Sequence, residues 1–453
     1  MTEPPRGPRP AIPDDAREGL DALLRRCIQC GLCLPVCATW LATGDETMSP
    51  RGRLLLWGEV LADPAAAAAD SGWHEALDSC LGCLACTAVC PSGVPAALLA
   101  TAVATAREAG PGRAPERTAA LVSRLDTPAR LRFLGLSARL GRAGLRLVLG
   151  ADWRARAAAG RPWRALARLV DAVPRAPRSD RELLHRLDAL AGVPPARSTM
   201  PPARLAADPA TGPTARPRLL WFAGCANEGL LPDASRRLRD VMAWAGAELV
   251  TTAGAGCCGA LAEHAGRPGR AAELREQNLA AWGAAAGAQA IITEAAGCGV
   301  AVRAYGERLP APQLDAIAWL AGATHPPFGE VPLKVALHDP CHARHGQGLV
   351  AEPRRLLRAI PGLVLLEPDE ADACCGSGGL WSLGHPELAG TLGARKAAVL
   401  AATGADLVVT ANPGCLGQIA RGLAGLPQPG PPILPLGDLL WYAAVRGTMK
   451  AGG

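Results

Sequence analysis

The chain has 453 residues, with 47 Lys and Arg against 41 Asp and Glu and a formal net charge of +6. Its positive charge is nearly all arginine, Lys334, Lys396 and Lys450 being the lysines, within an Ala-, Arg-, Gly- and Pro-rich composition from which no nucleic-acid role follows. The length exceeds one ordinary domain, no run of about 18 apolar residues offers a membrane span, and Met1 to Asp15 has prolines and charges where a signal peptide would be apolar. Sixteen cysteines in such a chain therefore read as thiolate ligands in a reducing cytoplasm, and any membrane contact as peripheral, on the inner face of the cell membrane.

Residues 16–26 are predicted to form a short helix leading into Cys27-Ile28-Gln29-Cys30-Gly31-Leu32-Cys33-Leu34-Pro35-Val36-Cys37. A polar turn over 42–53 and an apolar helix through Val60 separate this run from a second, Cys80-Leu81-Gly82-Cys83-Leu84-Ala85-Cys86-Thr87-Ala88-Val89-Cys90, followed by Pro91. Both read C-x2-C-x2-C-x3-C, the spacing with which three thiolates of one loop hold a 4Fe-4S cluster while the fourth reaches to a neighbouring cluster. One cluster is thus expected on Cys27, Cys30, Cys33 and Cys90, and a second on Cys37, Cys80, Cys83 and Cys86. Gly31 and Gly82 let backbone N-H groups approach the cluster sulfurs. A pair of zinc sites is the rival reading, but zinc has no need of the third regularly spaced cysteine. A helix from Val94 to Glu108 closes a ferredoxin-like domain over 1–110.

Residues 111–215 read as a helical connector and linker without cysteines. Between Arg130 and Arg168 ten arginines accompany one acid, Asp152, interleaved with Leu131, Phe133, Leu134, Leu140, Leu147, Val148, Trp153 and Trp163. Such basic amphipathic helices pack on their own domains, on an acidic partner or on an anionic membrane surface.

The remainder is an internal repeat. Cys257-Cys258-Gly259 recurs as Cys374-Cys375-Gly376 at an offset of 117, Cys298 recurs as Cys415 at the same offset, and Cys225 recurs as Cys341 at 116. The two copies are assigned to domains over 216–330 and 331–453. Each alternates short apolar runs with helical patterns: strands at Leu219 to Ala223, Ala247 to Thr251, Ala290 to Thr293, Val335 to Leu337, Leu363 to Leu366 and Leu407 to Val409, with helices over Ala234 to Ala245 and Gly269 to Ala286. The fold class is therefore multidomain, a helical ferredoxin-like unit followed by two α/β units with parallel sheets. Every cysteine of the repeat falls past a strand's carboxyl end, the edge where open α/β sheets gather their sites. Cys225, Cys257, Cys258 and Cys298 are expected to meet at one metal or redox site, and Cys341, Cys374, Cys375 and Cys415 at another. His338, His342 and His345 could add imidazoles in the second copy, or be hydrogen-bonded turn residues, the reading taken here because the first copy lacks them. Gly254-Ala255-Gly256-Cys257-Cys258-Gly259 matches a dinucleotide loop, but paired cysteines occupy it and no acid lies about 20 residues on.

Two ferredoxin-type runs followed by two copies of C-x31/32-CCG-x38-C resemble the iron-sulfur subunits with cysteine-rich CCG domains. Those include heterodisulfide reductase, anaerobic glycerol-3-phosphate dehydrogenase and lactate-utilisation proteins. Gly44-Asp45-Glu46, Ser49-Pro50-Arg51-Gly52-Arg53, His338-Asp339-Pro340-Cys341-His342 and Ala411-Asn412-Pro413-Gly414-Cys415 look most like the glycolate oxidase iron-sulfur subunit family. That resemblance implies an electron-transfer subunit, not catalytic alone, that takes electrons from an FAD-binding glycolate-oxidising subunit and relays them towards a quinone or membrane acceptor. It implies two 4Fe-4S clusters, a further iron-sulfur cluster or zinc ion in each CCG domain, and no FAD on this chain. The heterodisulfide reductase form of the CCG domain ends in C-x2-C, whereas Ala295 and Asn412 stand three residues before Cys298 and Cys415, which argues against disulfide-reducing chemistry.

Overall fold

A computed structural model describes residues 21–62, 71–96, 126–149, 170, 173–194, 216–265, 267–284, 287–379 and 381–451. Most of the helix expected over Val94 to Glu108, much of the connector including Trp153 and Trp163, and the linker before 216 lie outside the described residues.

The two copies form two four-stranded parallel sheets of identical order. In the first, β1 (Arg218–Phe222) lies between β2 (Glu248–Val250) and β3 (Ala290–Thr293), and β4 (Gln313–Asp315) is the outer neighbour of β3. In the second, β5 (Lys334–His338) lies between β6 (Val364–Leu366) and β7 (Leu407–Thr410), with β8 (Ile433–Pro435) beyond β7. The registers match as well: Trp221 is opposite Ile292 in one sheet and Leu337 opposite Val409 in the other. The inner strands are continuous apolar runs buried on both faces, as parallel strands covered by helices must be. The expected strands all form, within a residue or two of the expected ends. β4 and β8 lie outside the expected strands and join the sheets as outer neighbours of β3 and β7.

Helices follow from the same sequence logic. Pro232–Trp244 and Pro268–Gly283 each begin with proline in the first turn, where its missing N-H costs nothing. Asp315 ends β4 and caps helix Ala316–Gly322, accepting from Ile317 N at 2.8 Å. One hydrophobic core runs through both copies, joining Leu219, Val241 and Ile292 to Val335, Leu407 and Leu439. Leu183 and Leu187 of the helix Asp180–Ala191 are lodged in the same core. Arg237 and Asp438, both fully buried, tie helix Pro232–Trp244 to the carboxyl-terminal helix Leu436–Ala451, with Nε donating to Oδ1 at 2.8 Å.

The helix Pro128–Leu149 accounts for the apolar residues of the connector in two ways. Leu131, Ala138 and Leu145 are buried, and Leu131 packs beside Cys225 and Cys257 of the first copy. Phe133, Leu136, Leu140 and Leu147 form a second apolar stripe that faces outward. Among the described residues no helix is long and apolar enough to cross a membrane.

Candidate electron-transfer and metal centres

In the amino-terminal unit the cysteines gather across the two runs. One recess is lined by Cys27, Cys30, Cys33 and Cys90 together with Pro91 and Leu54, another by Cys37, Cys80, Cys83 and Cys86 together with Trp57 and Leu81, and Cys86 stands between them, lining both. The fourth cysteine of each run therefore lies with the first three of the other. Gly31 and Gly82 both have positive φ, which lets each loop curl around its recess. Burial pushes the thiols of Cys33, Cys83 and Cys86 up, so they lose their protons only to a partner that brings positive charge. That donor set fits a 4Fe-4S cluster in each recess.

The segment between the runs is built to hold this geometry. Glu46 accepts from Ser49 Oγ at 3.0 Å and from Arg51 Nε, and Ser49 Oγ in turn accepts from Gly52 N at 3.0 Å. A Cβ on Gly52 would stand 1.9 Å from the Glu46 carbonyl oxygen, so only glycine fits. Arg53 is 2% exposed; Nε donates to Ala76 O at 2.7 Å, and Nη2 to Thr39 Oγ1 at 2.9 Å and Ser79 Oγ at 2.7 Å. One guanidinium thus fastens the first run to the helix leading into the second.

In the first copy, Cys225 Sγ donates to Cys257 Sγ at 3.5 Å, Cys258 also bonds to Cys257, and Cys298 bonds to Cys258. Cys257, taking bonds from Cys225 and Cys258 and aided by Gly259 N-H and the Arg270 charge, is held well below the usual thiol range. Cys225 is pushed up by its bond to Cys257 and by burial, and Cys258 by its bonds to Cys257 and Cys298 and by burial. Four thiols packed together cannot all ionise unaided, whereas a cation among them would let them do so.

The second copy repeats the arrangement, with Cys341 beside Cys374, Cys374 beside Cys375 and Cys375 beside Cys415. It adds polar groups that the first copy lacks. Asn412 Nδ2 donates to Cys415 Sγ at 3.5 Å, where the first copy has Ala295. Lys396, 2% exposed, donates to Glu370 O at 2.5 Å beside Cys374 and Cys375. His338 ends β5 at 1% exposure, and neither ring nitrogen has a hydrogen-bond partner. Burial and the Lys396 charge push its pKa down to about 3, leaving a neutral imidazole. Its nitrogen lies within 4.8 Å of the thiol sulfurs of Cys375 and Cys415. Of the three histidines expected to be hydrogen-bonded turn residues, His345 does approach Asp372 O at 3.3 Å. His342 is hydrogen-bonded as well, its Nδ1 3.6 Å from Cys341 Sγ, and its ring stacks on His264 with centroids 5.8 Å apart, whereas His338 departs from the expectation because it is a strand residue pointing into the cysteine group.

The amino-terminal unit meets the second copy at these cysteines. Cys83 and Cys374 pack against the same buried group, Ala38, Leu81 and Leu392, and the thiol of Cys83 is raised in part by Cys341 as that of Cys374 is by Cys83. Neither contact has a signal in the sequence, since some 260 to 290 residues separate the partners.

Comparison with known proteins agrees with this geometry. Residues 23–94 match the 4Fe-4S dicluster domain, and residues 219–303 and 335–420 match the cysteine-rich CCG domain. The "Probable glycolate oxidase iron-sulfur subunit" of Bacillus subtilis (strain 168) is 31% identical over 443 residues, covering 91% of this chain and 92% of that protein. The chain belongs to the glycolate oxidase iron-sulfur subunit family. The glycolate oxidase iron-sulfur subunit of Escherichia coli (strain K12) is 30% identical over 418 residues, 88% of this chain and 90% of its own. A fumarate reductase (CoM/CoB) chain of Methanothermobacter marburgensis is 36% identical over 203 residues, 44% of this chain and 40% of that protein. Within the family reading, the Glu46, Ser49, Arg51, Gly52 and Arg53 phrase acquires a physical basis as the clasp between the two cysteine runs.

Proposed function

We propose that the chain is the electron-transfer subunit of a glycolate dehydrogenase complex, taking electrons from an FAD-binding subunit that converts glycolate to glyoxylate and delivering them towards a quinone. The observation that carries this reading is the near full-length similarity to glycolate oxidase iron-sulfur subunits. Oxidation of a hydroxy acid releases two electrons and needs a flavin or nicotinamide, so the chemistry belongs to a partner. A bound 4Fe-4S cluster supplies reversible one-electron oxidation and reduction.

The chain's own residues hold, insulate and connect. Cys27, Cys30, Cys33 and Cys90 are the ligands proposed for one cluster, and Cys37, Cys80, Cys83 and Cys86 for the other. Buried Trp57, Leu54 and Leu81 keep water from the recesses. Ile28 and Leu32, 68% and 54% exposed on either side of Cys30, form an apolar rim suited to a docked electron donor. Cys83, against Cys341 and Cys374, marks the opposite side, where the second CCG site is the next redox centre. The outward stripe of Phe133, Leu136, Leu140 and Leu147, on a helix rich in arginine, suits a peripheral position on an anionic membrane face near a quinone.

The test is anaerobic affinity purification from the native host, assaying glycolate-dependent dye reduction and bound flavin. The Cys83→Ser complex is expected to reduce its flavin with glycolate yet lose electron delivery to the dye. Undiminished delivery would sink the relay, and a flavin-free eluate inactive on glycolate would shift the assignment to lactate or glycerol 3-phosphate.

A further inference from the structure

The two CCG sites share four cysteines each but not their surroundings. At the strand end where β1 carries Phe222, β5 carries His338. Phe222 closes the floor of the first site with an edge-to-face contact on Trp282, ring centroids 5.3 Å apart. His338 places two unpartnered nitrogens at the equivalent position, 1% exposed, within 4.8 Å of the Cys375 and Cys415 sulfurs. A buried imidazole with neither nitrogen satisfied forfeits its hydration without a replacement hydrogen bond. Asp339, the adjacent acid, does not relieve it, since both its oxygens serve Arg344 and Arg354. Nor does Thr410, its neighbour across the sheet, whose hydroxyl is itself unpartnered. An electrophile among the cysteines is the partner that fits.

We propose that His338, with Cys375 and Cys415, supplies an imidazole nitrogen to the metal centre of the Cys341, Cys374, Cys375 and Cys415 group in place of one of its thiolates, so that the second CCG site is a mixed nitrogen-sulfur centre while the first is all-sulfur. The inference rests on the reading that the CCG cysteines bind metal. A neutral imidazole holding a metal position in place of one thiolate leaves the centre less negative and raises its reduction potential, as histidine ligation does in other iron-sulfur centres. Lys396 and the Asn412 N-H act in the same direction, because a buried cation and a donor to sulfur both favour the more negative, reduced state. The centre so tuned is the one adjacent to Cys83, which makes the second CCG site the electron sink of the pair.

The experiment uses the full chain with ¹⁵N-labelled histidine, reconstituted anaerobically with ferrous iron and sulfide, and in parallel with Zn²⁺. Pulsed EPR reads nitrogen coupling at the iron centres, and X-ray absorption at the zinc edge reads a nitrogen shell. Wild-type protein and a Cys258→Ser control are expected to show one directly bound histidine nitrogen. His338→Phe, which copies the first site, and His338→Gln are expected to lose it while retaining the EPR signals of the two ferredoxin-type clusters. A metal centre with sulfur ligands alone in the wild type, or a coupling unchanged in both variants, overturns the proposal. If the CCG cysteines take up neither metal, the proposal falls, while the relay through the ferredoxin-type clusters, read separately by glycolate-dependent dye reduction, stands.

Discussion

Asp438→Ala should reveal how firmly the two CCG copies are joined. Arg237 and Asp438 are both fully buried, and the alanine strands a guanidinium that water cannot reach. Removing one partner of such a pair costs about 3–5 kcal/mol. Arg237 keeps Pro177 O at 2.7 Å and Asp180 Oδ1 at 3.4 Å, so the lower end, about 3 kcal/mol, is expected. For a cooperative unit the size of the two copies, each kcal/mol moves the melting temperature by about 2–4 °C, giving a fall of roughly 6–12 °C. The assay is far-UV circular dichroism on anaerobic full-length protein at one scan rate, because cluster loss makes unfolding irreversible. A pH of about 7.5 keeps Asp438 ionised, since burial pushes its pKa up to about 6 despite the facing Arg237. The double variant Arg237→Met, Asp438→Leu should recover most of the loss, because apolar replacement of a buried pair is near neutral. A single-variant shift below about 2 °C, or a double variant no better than the single, would refute the argument that this pair governs the interface.

Two further outcomes follow from the same structure. Burial pushes Asp315 up to about 7, so between the unfolded value near 4 and about 7 the native state holds a proton that the unfolded chain has lost. Its contribution to stability is therefore full below about pH 4, falls as pH rises to about 7 and is flat above. Asp315→Asn keeps the acceptor for Ile317 N and removes the titration, so its melting temperature should fall less from about pH 5 to about pH 8 than that of the wild type; parallel profiles would contradict this. Gly224 has φ of +75°, and a Cβ there would stand 2.7 Å from Cys298 Sγ. Gly224→Ala should lower metal retained at the first CCG site while the ferredoxin-type EPR signals persist, and unchanged metal content per chain would count against a site built from Cys298.

Features whose geometry is local or periodic are written in the chain itself. The x2-x2-x3 spacing of Cys27 to Cys37 and Cys80 to Cys90 points to a curled loop because two residues between cysteines let three sulfurs of a short segment face one centre. The offset of 117 between the CCG motifs required two like folds, and the apolar runs before Cys225, Cys298, Cys341 and Cys415 located the inner strands. Whatever depends on packing between distant segments emerged only on folding. The three-residue β4 and β8 become strands only because β3 and β7 offer open edges. The shared core that joins the copies, the seating of Cys83 against the second copy and the orphaned His338 beside Cys375 and Cys415 have no local signature. A histidine in His-Asp-Pro-Cys-His reads as a polar turn residue until the sheet fixes which way the strand's last side chain points.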